Sequence, residues 1–130
     1  MKTTLGTIAI DFDGVIHSYE KGWDDGSIYG HLVPGAKDFI FRMQAHGYAV
    51  FILSTRPAHD IVSWMRTICP ELDFDVVPPE TLFWNSTLVV GVTDRKLPAL
   101  LYIDDRAVRY DGSWARTSLE VNNLLNRHGH

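Results

Sequence analysis

The sequence predicts an α/β fold, a three-layer α/β/α sandwich around a mainly parallel sheet, and three observations carry that expectation. Short apolar runs of strand length alternate with segments whose apolar residues recur at helical spacing. The runs are uninterrupted rather than alternating, as in strands covered on both faces. Acids or hydroxyls stand just beyond their C-terminal ends, where open parallel sheets bind ligands. A chain of 130 residues fits one domain, residues 1–130.

Thr7 to Asp11 reads as the first buried strand, with Gly14 ending the apolar run. The following HSYEKGWDDGSIYGHLV lacks helical periodicity and suits a loop or small hairpin, a flap over the sheet edge. Pro34-Gly35 introduces a helix with Ala36, Phe39, Ile40 and Met43 on one face, stopped by Gly47. Tyr48 to Leu53 is a central strand, and Ser54, Thr55 and Arg56 fall past its end.

Pro57 opens a second helix with Ile61, Trp64 or Met65, and Ile68 on its apolar side. Phe74 to Val77 gives a short third strand. The β-branched and aromatic residues of TLFWNSTLVVGVTDRK favour strand over helix, as a hairpin on the core or as an exposed apolar surface for dimerisation or substrate. Ala99 to Ile103 is a further buried strand, ending in Asp104-Asp105. Thr117 and Glu120 form a capping box for a last helix presenting Val121, Leu124 and Leu125.

Composition narrows the class. With 45% hydrophobic and 22% charged residues the chain is neither disordered nor a disulfide scaffold. Its net charge of −4 does not point to a general nucleic-acid binder. No apolar run approaches the ~20 residues of a membrane span and no secretory signal is evident, so a cytoplasmic protein is expected. The single cysteine, Cys69, reads as packing, and Asn85-Ser86-Thr87 as an accidental glycosylation match.

The chemistry lies in the acids. Two unpaired carboxylates beside a buried strand are costly, so Asp11 and Asp13 call for a cation. Residues two apart share a face, and the two converge on one ligand if the chain stays extended to Asp13. Asp104 adds a third acid from another strand. An oxygen-only cluster suits Mg²⁺, which commonly bridges carboxylates to a phosphate. One aspartate can then attack phosphorus while another moves the proton, with Ser54 and Lys96 supplying a donor and a charge.

In order, DFDG, FILSTR, a lysine, and LYIDD resemble the haloacid dehalogenase-like (HAD) hydrolases, most of which are Mg²⁺-dependent phosphatases with a Rossmann-like sheet. The resemblance spans nearly the whole chain, and its DxDG motif falls on Asp11 to Gly14. It implies Asp11 as nucleophile and metal ligand, and Asp13 as general acid and base that binds metal through its backbone carbonyl. It further implies Ser54, or its neighbour Thr55, as the phosphate-binding hydroxyl and Lys96 as the cation. Asp104 and Asp105 are the acid pair, one or both on the metal.

About 20 residues between Gly14 and the first helix, and about 40 between Ser54 and Lys96, leave no room for a cap domain. An open site admits a bulky phosphate ester, or is closed by a partner subunit in a homo-oligomer. The substrate class is therefore a phosphorylated molecule: nucleotide, nucleic-acid end, sugar phosphate or phosphoprotein. The competing expectation is a non-catalytic Mg²⁺ and phosphate-binding regulatory module. Arg56, Arg106 and Arg109 read as residues orienting the acids, and His17 as polar loop surface. Trp23 and Tyr29 either pack on the sheet or stack on a substrate ring, and the tail histidines His128 and His130 form no metal site.

Overall fold

In the computed structural model, which describes residues 4–127, five parallel strands form one sheet. The strands are β1 (Thr7–Asp11), β2 (Ala49–Leu53), β3 (Asp73–Val76), β4 (Val89–Thr93) and β5 (Leu101–Ile103). The helices are α1 (Ala36–Ala45) between β1 and β2, α2 (Ala58–Ile68) between β2 and β3, and α3 (Trp114–Arg127) after β5. His128 and His130 lie outside the described residues. Among the described residues no helix is long and apolar enough to cross a membrane.

The sheet order is β3-β4-β2-β1-β5. Both helical crossovers, β1-α1-β2 and β2-α2-β3, carry the chain the same way across the sheet, which puts α1 and α2 on one face. Their apolar stripes meet the strand residues that point to that side. Ile40, Ile61, Val62 and Met65 pack with Ile8, Ile10, Val50, Ile52, Val90 and Val92 in a single buried cluster. Cys69 belongs to this core, fully buried.

The opposite face is covered differently. Val77, Trp84, Leu97 and Ala99 pack on Ala9, Phe51 and Leu53, so the chain between β3 and β5 supplies this layer. The expected hairpin does not form there: Val89–Thr93 is its only strand, paired parallel with β2 and β3. The preceding loop is tied down by polar bonds instead. Arg95 donates to the carbonyls of Thr81 (2.8 Å) and Pro78 (2.9 Å), and the Thr7 hydroxyl donates to the carbonyl of Trp84 (2.7 Å). Trp84 is held against the core while Leu82 and Leu88 stay exposed, at 80% and 78%.

Two further expectations change. The run ending in Asp104 reads as buried, yet β5 is an edge strand of three residues with Leu101 and Tyr102 exposed. It pairs on one side only, so burial there is incomplete. The last helix begins at Trp114, before the expected capping box, because the Ser113 hydroxyl accepts a hydrogen bond from the backbone N–H of Arg116 and caps the helix first. Val121 and Leu124 are half-buried, but α3 contributes no buried residue to either core cluster.

Candidate functional site

Strand register decides which residues meet. Asp11 pairs with Leu53, and Leu53 with Thr93, so β1, β2 and β4 end level and Ser54 follows directly beside the end of β1. Ile10 pairs with Ile103, which brings Asp104 alongside Asp11. The chain leaves β1 toward β2 in one direction and returns as β5 on its other side, a topological switch point at which the strand ends part and leave a crevice.

That crevice is a cleft of about 420 Å³. Asp11, Asp13, Ser54, Thr55, Lys96 and Asp104 all line it, so residues far apart in sequence share one opening. Ser54 is buried and its backbone N–H donates to the Thr93 carbonyl (3.0 Å), which fixes the turn after β2. Its Oγ accepts the N–H of Arg56 (3.2 Å), and the hydroxyl proton stays available to a ligand. Thr55 is exposed. The Lys96 ammonium stands 4.8 Å from the centre of the Tyr102 ring, a contact that steers the flexible side chain along the cleft wall.

Three carboxylates converge. One oxygen from each of Asp11, Asp104 and Asp105 lies within 4.8 Å of the other two. Burial pushes the Asp11 carboxyl up from its ordinary 3.8 to about 6, helped by repulsion from Asp104 and, less, from Asp105 and Asp13, while the Phe12 backbone N–H pulls it down. An all-oxygen donor set in which the acids repel one another fits a hard divalent cation, whose charge would reverse that repulsion. The Arg106 N–H donates to Asp104 Oδ1 (2.8 Å) and orients that side chain.

The Asp13 side chain is arranged differently from the convergence with Asp11 that an extended run would give, which leaves aside the backbone-carbonyl ligand the resemblance implies. The strand ends at Asp11, and the chain then turns so tightly that the N–H groups of Ile16 and His17 both donate to the carbonyl of Phe12, each at 2.9 Å. With the extended run broken, the Asp13 side chain does not join the three-carboxylate group. It accepts from His17 Nδ1 at 2.8 Å, and from Arg56 Nε at 2.9 Å to Oδ2 and 3.1 Å to Oδ1.

No protein-family model, curated protein or solved structure matches the chain. Its own geometry therefore carries the functional argument.

That geometry brings in two residues outside the expected catalytic set: His17, read as polar loop surface, and Arg56, read as orienting the acids and found on Asp13. His17, expected on the surface, is fully buried, stacked on Phe12 at 5.4 Å between ring centres and edge-on to Tyr29 and Trp64. Arg56 is 2% exposed, with Trp23 and Tyr19 over its guanidinium at 4.7 and 5.9 Å. The flap, residues 17–33, contains turns and isolated bridges rather than a hairpin, and these two side chains hold it to the site. Arg56 Nη1 donates to the Gly26 carbonyl (2.7 Å), and the Gly30 N–H donates to His17 Nε2 (2.9 Å). A Cβ at position 30 would meet Ser18 Oγ at 2.3 Å and His17 Nε2 at 2.9 Å, so a side chain there would push on the ring that holds Asp13. The four-residue spacing between Asp13 and His17 is the one sequence signal that marks this pair.

Proposed function

We propose that the protein is a Mg²⁺-dependent phosphomonoester hydrolase acting through Asp11, a capless member of the HAD-like hydrolases. The observation that carries the reading is the convergence of Asp11, Asp104 and Asp105 at the sheet's switch point, beside a cleft that Asp11, Asp104, Ser54 and Lys96 line. Four ordered motifs of the resemblance thus meet in one opening. The three-layer architecture belongs to the same proposal, with α1 and α2 as one layer and α3 as the helix of the other.

Asp11, Asp104 and Asp105 would hold Mg²⁺, which when bound neutralises the carboxylates and the phosphate charge. Ser54 donates its hydroxyl to a phosphoryl oxygen and Lys96 adds a positive charge, so the electron-rich equatorial oxygens are met from the protein side. Asp11 attacks phosphorus through a carboxylate oxygen, and the bond to the leaving oxygen breaks as Asp13 gives that oxygen a proton. Asp13, now a carboxylate, takes a proton from water as the water oxygen attacks the aspartyl phosphate. The Asp11–phosphorus bond breaks, phosphate leaves and Asp13 carries its proton again.

The substrate is a phosphate monoester, and the exposed cleft suits a bulky one. A cytoplasmic setting, where Mg²⁺ and phosphate esters abound, accords with this reading. One observation favours the second reading, a non-catalytic Mg²⁺ and phosphate-binding module: both Asp13 oxygens already have partners in His17 and Arg56.

Phosphate release from a panel of phosphate esters, with Mg²⁺ and with a chelator, separates the two. The panel includes nucleotides, sugar phosphates, phosphopeptides and 3′- and 5′-phosphorylated oligonucleotides. The hydrolase releases phosphate only with Mg²⁺. Metal-dependent binding with no product from any ester would establish the module.

A further inference from the structure

We propose that His17 and Arg56 are positioning residues that aim the Asp13 carboxyl for proton transfer, an inference that rests on the phosphatase reading. Asp13 stands past the end of β1, outside the strand register that sets the direction of Asp11. Two donors from different parts of the chain take over that task. His17 reaches it from the turn that follows, and Arg56 from the turn after β2.

Each donor is itself locked. The Gly30 N–H points at His17 Nε2, so that nitrogen is an acceptor and the ring proton sits on Nδ1, directed at Asp13 Oδ1. Arg56 spends Nε on Asp13 and Nη1 on the Gly26 carbonyl, under the Trp23 ring. Rotating either side chain breaks a bond to the flap backbone as well as the one to Asp13. With 0% and 2% exposure neither residue reaches a substrate in the cleft, so both act through Asp13.

Proton donation matters in proportion to how poor the leaving group is. An alkyl phosphate must have its departing oxygen protonated, whereas 4-nitrophenolate leaves without help. Misplacing Asp13 therefore lowers kcat/KM, which reports the first transfer and not the hydrolysis of the aspartyl phosphate that both esters share, far more for the alkyl ester than for the nitrophenyl ester, a ratio that general loss of folded protein does not move.

The experiment measures kcat/KM for both esters, with Mg²⁺, in the wild-type protein and in Asp13→Asn, His17→Gln, His17→Asn and Arg56→Lys. Gln at 17 can replace Nε2 toward Gly30 but not the donor to Asp13; Asn can replace the donor. We expect His17→Gln and Arg56→Lys to lower the alkyl-to-nitrophenyl ratio by about tenfold or more, in the direction Asp13→Asn does. His17→Asn should recover part of the ratio, and Arg56→Lys added to Asp13→Asn should lower it no further. Equal losses on both esters overturn the proposal. Wild-type protein that hydrolyses neither ester overturns the phosphatase reading and the positioning role with it, a distinct result. Should the variants not fold, long-range ¹H–¹⁵N correlation on the wild-type ring decides: the proton on Nδ1 supports the proposal and a proton on Nε2 overturns it.

Discussion

Gly14 and Asp105 approach so closely that a Cβ on Gly14 would lie 2.3 Å from Asp105 Oδ2. Gly14 also has φ +84°, a backbone region that side chains disfavour. The turn out of β1 and the acid after β5 are therefore fitted to each other. The atom in the way is the end of a side chain, so Asp105 can swing aside and the fold survives its displacement.

Gly14→Ala should accordingly damage the carboxylate group more than the fold. The strained φ costs about 1 kcal/mol of stability, while divalent-cation affinity falls by about tenfold or more, as for other disturbed ligand shells. Calorimetric Mg²⁺ titration beside thermal unfolding checks both. Unchanged cation affinity would remove Asp105 from the metal group.

The Asp11 carboxyl gives a pH dependence with a definite sign. Its value is about 6 in the folded protein against an ordinary 3.8, so between these values the metal-free folded state holds a proton that the unfolded chain has released. This group's contribution to stability is thus present below about pH 4 and is lost as pH rises to about 6. Mg²⁺ needs the carboxylate, so its stabilising effect grows across the same window. Thermal unfolding from pH 4 to 7, with chelator and with Mg²⁺, should show opposite trends from this group. Asp11→Asn should flatten the metal-free one, and a metal-free trend unchanged in that variant would remove Asp11 as its source.

Away from the site, Gly91 in β4 makes room for the loop that covers the second sheet face. A Cβ at 91 would meet Trp84 Cε2 and Val77 Cγ2, each at 2.7 Å. Both are packed groups, so Gly91→Ala should destabilise the fold by about 1–3 kcal/mol through overpacking. Denaturant unfolding measures it. Asp11, Asp104 and Asp105 are untouched, so the Mg²⁺ affinity of the folded fraction should not change.

How far the sequence speaks follows from the range of the forces involved. The strands and the first two helices are legible because their apolar periodicity is local: YAVFIL becomes β2, and Pro34-Gly35 and Gly47 bracket α1. The carboxylate group is legible because parallel strands put Asp11 and Asp104 at the same edge. That Arg56 orients an acid is legible too, but that the acid is Asp13 is not, since the partners are 43 residues apart and the turn after Asp11 redirects the side chain. His17 escapes for a related reason: its burial depends on Gly26 to Gly30 folding back over it, which no local pattern announces. The 81–88 stretch has strand composition, yet Arg95 and Thr7 hold its backbone as a loop. Ser113 outcompetes Thr117 as a cap because it stands where the chain already turns, after Gly112 at φ +100°.

The most direct test of the central claim is steady-state phosphate release by Asp11→Asn beside the wild type, with saturating Mg²⁺, on the best ester of the panel. A carboxamide cannot attack phosphorus, so turnover should fall by about a thousandfold or more while the unfolding transition stays cooperative. Turnover at the wild-type rate in a folded Asp11→Asn protein would contradict the assignment of Asp11 as nucleophile.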